Sequence, residues 1–296
     1  MTGAVYDRGY RPYEGALGGR TTSRAALYRA TLRRALGIRR TWRQKVAPFV
    51  LLAIAVVPAI VNVGVKYLTR NTPASDIDFI TYRDYVGVSN ALLVFVALTA
   101  PDIMCPDRRQ RVLPLLFARP LTGVDYVMAK LGAMASILFA FSFIPQVILF
   151  VGQMLVSDDG ALRYLRDNAE VLWQVPAAVA LLSILYAAVG VAIASLTSRR
   201  IIAGATTVGL FLVTSIVSAI LVGGDELGVN EGSPAGLLNL AALPMHLRDV
   251  IFLGRIDPEG PLGGVANAGL FAAGVFVLVV CVCLATLLYR YDEVER

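Results

Sequence analysis

The chain has 296 residues, of which 57% are hydrophobic and 16% are charged, whereas soluble domains carry about 25% charged residues. Its apolar residues form several uncharged runs that reach the roughly 20 residues a helix needs to cross the hydrocarbon core of a bilayer. This composition excludes an ordinary soluble domain and predicts an all-α, multi-pass membrane protein. The net charge of +6 is compatible with nucleic acid, but in a membrane protein the position of the charges carries more information than their sum.

Residues 1–45 form a polar, arginine-rich region without the apolar core of a secretory signal, so we expect no signal peptide. Its stretch "TSRAALYRATLRRALGIRRTWRQK" places apolar side chains on one face of a helix and arginines on the flank. A basic linker and a nucleic-acid arm are alternatives, but the apolar face and the adjoining span favour an anionic lipid surface and no nucleic-acid partner. The predicted interfacial helix includes Tyr28, Arg29, Leu32, Arg33, Leu36 and Arg40.

Six membrane spans are predicted within residues 46–289, followed by a short tail over residues 290–296. The second predicted span has the shortest uncharged run of the six, and Asp102 lies near its end. A charge inside hydrocarbon would indicate an ion path, but Asp102 is close to the surface and is expected to snorkel or to pair with Arg108 or Arg109. The predicted spans are Val46–Val65, Tyr85–Cys105, Val127–Val156, Val171–Thr197, Ile201–Val222 and Gly264–Tyr289.

Basic residues indicate the orientation of these spans, because Lys and Arg accumulate in cytoplasmic loops. The N-terminal region, the loop after the second span, the turn at Arg199 and Arg200, and the tail together hold 20 of the 27 Lys and Arg residues. The other three loops hold 7 and carry acidic clusters such as Asp158 with Asp159. This asymmetry predicts that the chain crosses the plasma membrane with both termini in the cytoplasm.

The stretch "SPAGLLNLAALPMHLRDVIFLG", Ser233–Gly254, is apolar enough to suggest a seventh span. It is interrupted by Pro244, His246, Arg248 and Asp249, and its uninterrupted part is about half the length that a span requires. Short apolar segments broken by Pro lie more often in the interface or re-enter the membrane. We predict two short external helices here. His246, the one histidine of the chain, has no obvious set of catalytic partners.

The loop between the second and third spans, residues 106–125, carries arginines near both ends and bulky apolar residues at its centre. Burial of each such apolar side chain is worth roughly 1.5–3 kcal/mol, so a free loop would not keep them in water. We therefore predict a short cytoplasmic helix that docks into a groove of another protein. A second helix on the lipid surface is the alternative.

The sequence "DRRQRVLPLLFARPLTGVDYVMAK" resembles the loop between the second and third spans in permease subunits of type-2 ATP-binding-cassette (ABC) transporters. The start of the chain, "YDRGYRPYEG", is similar to the beginning of many bacterial permeases of this kind. The layout of six spans, a basic N-terminal helix and an apolar external loop before the last span agrees with the same family. The matching positions in the loop are Asp107, Arg108, Arg109, Leu113, Leu115, Arg119, Pro120, Leu121, Tyr126 and Lys130.

The resemblance implies a mechanism for the whole assembly. Two permease copies pair in the membrane as a homodimer, two ATPase subunits bind beneath them, and the loop rests on the ATPase as a coupling helix. The N-terminal helix would be the connecting helix of the family, and Ser233–Gly254 would form its external gate helices. The implied coupling residues are Asp107, Arg108, Arg109, Arg111, Leu113, Leu115, Leu116, Phe117, Arg119 and Pro120.

The chain has no G-x-x-x-x-G-K-[ST] run, the loop that cradles nucleotide phosphates. We therefore expect ATP and magnesium on the separate ATPase, and no enzymatic activity or cofactor on this chain. Its cysteines, Cys105, Cys281 and Cys283, show no metal-ligand or disulfide spacing. The predicted spans hold few polar side chains, which favours export of an amphipathic or lipid-like substrate. The alternatives are a membrane scaffold that recruits a cytoplasmic partner and an intramembrane lipid-modifying enzyme.

Overall fold

The computed structural model describes residues 19–37, 42–69, 81–85, 89–110, 113–114, 121–157, 160–223 and 232–295. These residues form α-helices and one 3-10 helix, Pro234–Leu238, and no β-strand occurs among them, so the all-α fold is confirmed. The α-helices are α1 Arg20–Ala35, α2 Trp42–Thr69, α3 Tyr82–Tyr85, α4 Ser89–Arg109, α5 Gly123–Val156, α6 Ala161–Asp167, α7 Val171–Leu196, α8 Arg200–Gly223, α9 Leu243–Leu253 and α10 Ala268–Glu295.

Within the described part of the chain, five helices are long and apolar enough to cross a membrane. They lie at the positions of the first, third, fourth, fifth and sixth predicted spans, which confirms a multi-pass chain to that extent. The candidate spans are Phe49–Thr69, Gly123–Val156, Val171–Leu196, Arg200–Gly223 and Ala268–Asp292.

Helix α4 occupies the place of the predicted second span but is not among these five candidates. Its uncharged part runs only from Ser89 to Pro101, because its C-terminal half carries Asp102, Asp107, Arg108 and Arg109. The span was predicted to start at Tyr85, whereas in the structure Tyr85 ends the short helix α3 and α4 begins at Ser89. An uncharged run of sequence does not reveal where one helix ends and the next begins.

Helix α7 is the central helix of the bundle, with 72% of its most apolar stretch buried. It packs against α4, α5, α9 and α10. Small residues between Ala187 and Ser195 permit this close approach. Gly190, for example, faces Val96 and Ala100 of α4, and a methyl group at this position would overlap the Val96 side chain.

Helix α5 is the longest helix that the structure describes, with 34 residues. At 1.5 Å per residue it is about 51 Å long, which exceeds the roughly 30 Å of hydrocarbon in a bilayer. The charged residues Asp125 and Lys130 both lie near its N-terminal end. The part of α5 that exceeds the hydrocarbon thickness therefore extends out of the bilayer at the N-terminal end, where the loop 106–125 joins the helix.

Helix α1 corresponds to the predicted interfacial helix and packs against α5 and α4. Leu32 and Leu36 contact the main hydrophobic core, and Tyr28 donates a hydrogen bond to Ser136 Oγ of α5 at 2.8 Å. Arg29 and Arg33 are exposed, whereas Arg40 lies outside the described residues. The apolar face that was predicted to contact lipid therefore covers part of the protein core.

At the opposite end of the bundle, Ser233–Gly254 contains the 3-10 helix and α9. Gly254 ends α9 with a backbone φ of +69°, in the left-handed region that favours glycine. Helix α9 packs on α7 and α10, and its buried residues include His246 and Asp249. Both helices are much shorter than a membrane span.

Candidate functional site

Asp107, in the last turn of α4, has a carboxylate that is buried inside the protein, with 4% of the residue exposed. Lys130 Nζ donates to its Oδ2 atom at 2.6 Å, and Tyr126 Oη donates to the same atom at 3.0 Å. Arg34 Nη1 of α1 donates to Oδ1 at 2.5 Å. We call these four residues, Arg34, Asp107, Tyr126 and Lys130, the Asp107 cluster.

The Asp107 cluster satisfies charges that would be costly to bury alone. The ammonium group of Lys130, of which 2% is exposed, also donates to the Ile103 carbonyl at 3.1 Å. Hydrogen bonds that fill the remaining sites of a buried ion pair are needed to offset the loss of hydration. The cluster therefore fixes the relative positions of its helices more strictly than apolar contacts alone would do.

Four helices meet at the Asp107 cluster. Arg34 comes from α1, Asp107 from α4, and Tyr126 and Lys130 from α5. The ring of Tyr291, near the end of α10, packs on the Tyr126 ring with 4.9 Å between the ring centroids. A displacement of the start of the loop 106–125 is therefore coupled directly to α1, α5 and α10.

A second anchor holds the end of the same loop. Thr122 and Asp125 form a capping box at the start of α5, in which each side chain accepts a hydrogen bond from the other residue's backbone N–H. Arg20 Nε donates to Asp125 Oδ2 at 2.6 Å, and Arg24 also pairs with this carboxylate. Both ends of the loop are thus held by arginines of α1.

A third set of contacts fixes the end of α4 to the turn between α7 and α8. Arg108 Nη1 donates to the Ser195 carbonyl at 2.5 Å. Arg200 Nη1 lies 2.8 Å from Asp102 Oδ1. Asp102 was expected to pair with Arg108 or Arg109, so the sequence did not identify this partner.

The structure separates the predicted coupling residues into inward and outward groups. Asp107 and Leu113 are buried, Arg108 is half-buried and Arg109 is exposed. The remaining predicted coupling residues lie outside the described part of the chain: Arg111, Leu115, Leu116, Phe117, Arg119 and Pro120. Because Asp107 is buried, it can affect coupling only through the helices that it joins, and not by direct contact with a partner.

A separate cluster of charges lies at the opposite end of the bundle. Arg83 Nε of α3 donates to Asp249 Oδ1 of α9 at 2.8 Å, and the same side chain pairs with Asp257. Arg248 donates to Asp249 and, from Nη1, to the Arg83 carbonyl at 3.0 Å. A hydrogen bond from Arg83 lowers the pKa of Asp257 below its ordinary value.

The contacts of the Asp107 cluster join helices to one another. No group of His, Cys, Asp and Glu side chains that could hold a metal ion occurs within the described ranges. All four polar groups of the cluster are occupied by one another. Comparison of the chain with known protein families and with curated proteins gives no match.

Proposed function

We propose that this chain is the permease subunit of a bacterial ABC exporter, moving an amphipathic or lipid-like substrate across the plasma membrane. A separate ATPase, in two copies, binds and hydrolyses ATP with magnesium, and two permease chains form the membrane path. The observation that carries the proposal is the double anchoring of the loop 106–125 by ion pairs at both of its ends, where the carboxylates of Asp107 and Asp125 are buried. A loop held in this way passes the movement of a bound partner to the helices instead of absorbing it.

The proposed topology has six spans, with α4 as the second. Its 21 residues measure about 31 Å, which is enough to cross the hydrocarbon core. The charged residues of its last turn, Asp107, Arg108 and Arg109, then lie at the cytoplasmic surface, and Asp102 pairs with Arg200 of the basic turn. Helix α1 is the connecting helix, and the two short helices within Ser233–Gly254 lie outside the cell.

The polar side chains of the spans support an apolar or amphipathic substrate. Asn62, Gln146, Gln153 and Gln174 are all buried within the chain. Gln146 Nε2 donates to the Tyr82 carbonyl at 3.2 Å, so it serves helix packing. Side chains used in this way do not present a hydrophilic path for a bare ion.

The test is ATP-dependent transport after co-purification with the ATPase. In Leu115→Asp or Arg119→Glu, we expect the spans to stay folded while transport and stimulation of ATP hydrolysis fall. Losing one buried apolar anchor removes roughly 1.5–3 kcal/mol, which weakens association about tenfold or more. Leu162→Asp and Arg166→Glu, at exposed positions of α6, are matched controls and should change neither readout.

Three outcomes would contradict the proposal. If assembly, ATP hydrolysis and transport are all unchanged in both loop variants, the loop is not a coupling element. If a cytoplasmic partner binds the loop but no substrate moves when ATP is hydrolysed, the chain is a membrane scaffold. Conversion of a lipid without any partner would instead indicate an intramembrane enzyme.

A further inference from the structure

A cavity of about 860 Å³ lies between the last turn of α4 and the first turn of α8, at the predicted cytoplasmic end of the bundle. Three arginines line it: Arg109, Arg199 and Arg200. The Asp107 cluster is not part of its lining. The cavity is therefore distinct from the anchored base of the loop, although α4 takes part in both.

The cavity carries an excess of positive charge. Asp102 pairs with Arg200 at 2.8 Å. Arg109 and Arg199 are both exposed, and neither has an acidic partner among the residues that the structure describes. The first turn of a helix also leaves backbone N–H groups without acceptors within the helix, and α8 begins at this cavity. Each of these features favours an anion with several oxygen atoms, such as a phosphate group.

Aliphatic side chains stand directly beside these charges. Ile201 and Ile202 follow Arg200 on α8 and also line the cavity, with 87% and 45% of their surfaces exposed. They begin an uncharged stretch that continues to Val222, so this site lies where a lipid headgroup meets its acyl chains. A free phosphate would leave these isoleucines uncovered, whereas the acyl chains of a lipid would cover them.

We propose that this cavity binds the headgroup of an anionic phospholipid. The guanidinium groups of Arg109 and Arg199 bind the phosphate oxygens, and Ile201 and Ile202 contact the acyl chains. Basic pockets between membrane helices on the cytoplasmic side bind phosphate-bearing lipid headgroups in this manner. A lipid bound here joins the end of α4 to the start of α8, and it does so whether or not an ATPase is present.

The experiment is native mass spectrometry of the full chain, purified in detergent and titrated with phosphatidylglycerol or phosphatidylcholine. We expect the chain to retain phosphatidylglycerol preferentially. At about 1 kcal/mol for each basic residue near a membrane surface, Arg109→Gln with Arg199→Gln should weaken this binding roughly thirtyfold. Arg200 is left intact because its ion pair with Asp102 holds α4 to α8.

Arg163→Gln with Arg166→Gln is the matched control, because it removes the same charge from exposed positions at the opposite end of the bundle. Equal retention by the chain and by both double variants would overturn the proposal. Displacement of the lipid by millimolar inorganic phosphate would show a free-anion site and also overturn it. The proposal fails as well if the Arg109 and Arg199 variant loses ATPase binding while its lipid binding is unchanged, since the ligand is then an acidic protein segment.

Discussion

Lys130 is a charged side chain within a helix that is otherwise long and apolar. Its position was a usable signal in the sequence, because a charge inside a predicted span requires a partner. Asp107 and Tyr126 also stood out, but only through the resemblance to ABC permeases. Arg34 could not be predicted as the second cation, because the choice among the arginines of α1 depends on how that helix is rotated against α4.

Replacing Asp107 should lower the free energy of unfolding more than replacing Lys130, the other member of the buried ion pair. In Lys130→Met, Asp107 keeps the hydrogen bonds from Arg34 and Tyr126, so the loss is moderate. In Asp107→Asn, the ammonium group of Lys130 loses its buried counter-ion and keeps only uncharged contacts, such as the Ile103 carbonyl and the Tyr126 ring. Removing one partner of a buried pair in this way costs about 3–5 kcal/mol.

Thermal unfolding of the purified variants in detergent measures this difference. The unfolding midpoint should fall further for Asp107→Asn than for Lys130→Met. Arg163→Met serves as a control, because its salt bridge with Asp167 is exposed and contributes little. Equal midpoints for the two cluster variants and the unaltered chain would show that the cluster does not hold the helices together.

Helix α9 shows what apolar patterning can and cannot predict about an element. The broken apolar run predicted short helices in this segment. In the structure, Pro244 lies in the first turn of α9 and Gly254 follows its end. The same pattern does not predict the ion pairs that join α9 to α3, because Arg83 is far away in sequence. Contacts between distant charged residues depend on the packing of the whole bundle.

His246 should make the packing of α9 sensitive to pH. It is 6% exposed, and its Nε2 atom has no hydrogen-bond partner among the residues with described positions. Burial lowers the pKa of the imidazole below its ordinary value, and Arg248 acts in the same direction, while Asp249 opposes them. The folded protein therefore takes up a proton less readily than the unfolded chain, whose histidine has a pKa of about 6.5.

The contribution of neutral His246 to the free energy of unfolding is fully present above about pH 6.5. It is lost as the pH falls below that value, because the unfolded chain then binds more protons than the folded protein. Between about pH 7.5 and 5.5, the unfolding midpoint of the unaltered chain should fall, and that of His246→Gln should fall less. The carboxylates contribute little to this interval, since their pKa values in the unfolded chain are near 4. Identical pH profiles would rule out His246 as the source.

At the scale of the whole molecule, five of the six predicted spans correspond to long apolar helices among the described residues. Length and apolarity located five of the spans within a few residues, since both properties are local. Helix α4 is different, because its charges are acceptable only at a surface or beside partners such as Arg200. Whether it crosses decides the side on which every later loop lies.

Chemical labelling of introduced cysteines determines whether α4 crosses the membrane. The variants are Leu162→Cys on α6 and Ser198→Cys in the turn before α8, both at accessible positions, with the three native cysteines replaced by serine. With six spans, a membrane-impermeant maleimide should label Leu162→Cys in intact cells and Ser198→Cys only after permeabilisation. If α4 does not cross, the pattern is reversed.

The contacts of α1 also set an order of events during synthesis. Arg34 and Arg20 pair with carboxylates that follow them by 73 and 105 positions in the chain. The ribosome therefore completes α1 long before either acidic partner exists, and α2 and α4 are synthesised in the interval. Docking of α1 can be completed only once the start of α5 has emerged, which makes it a late step in the biogenesis of the bundle.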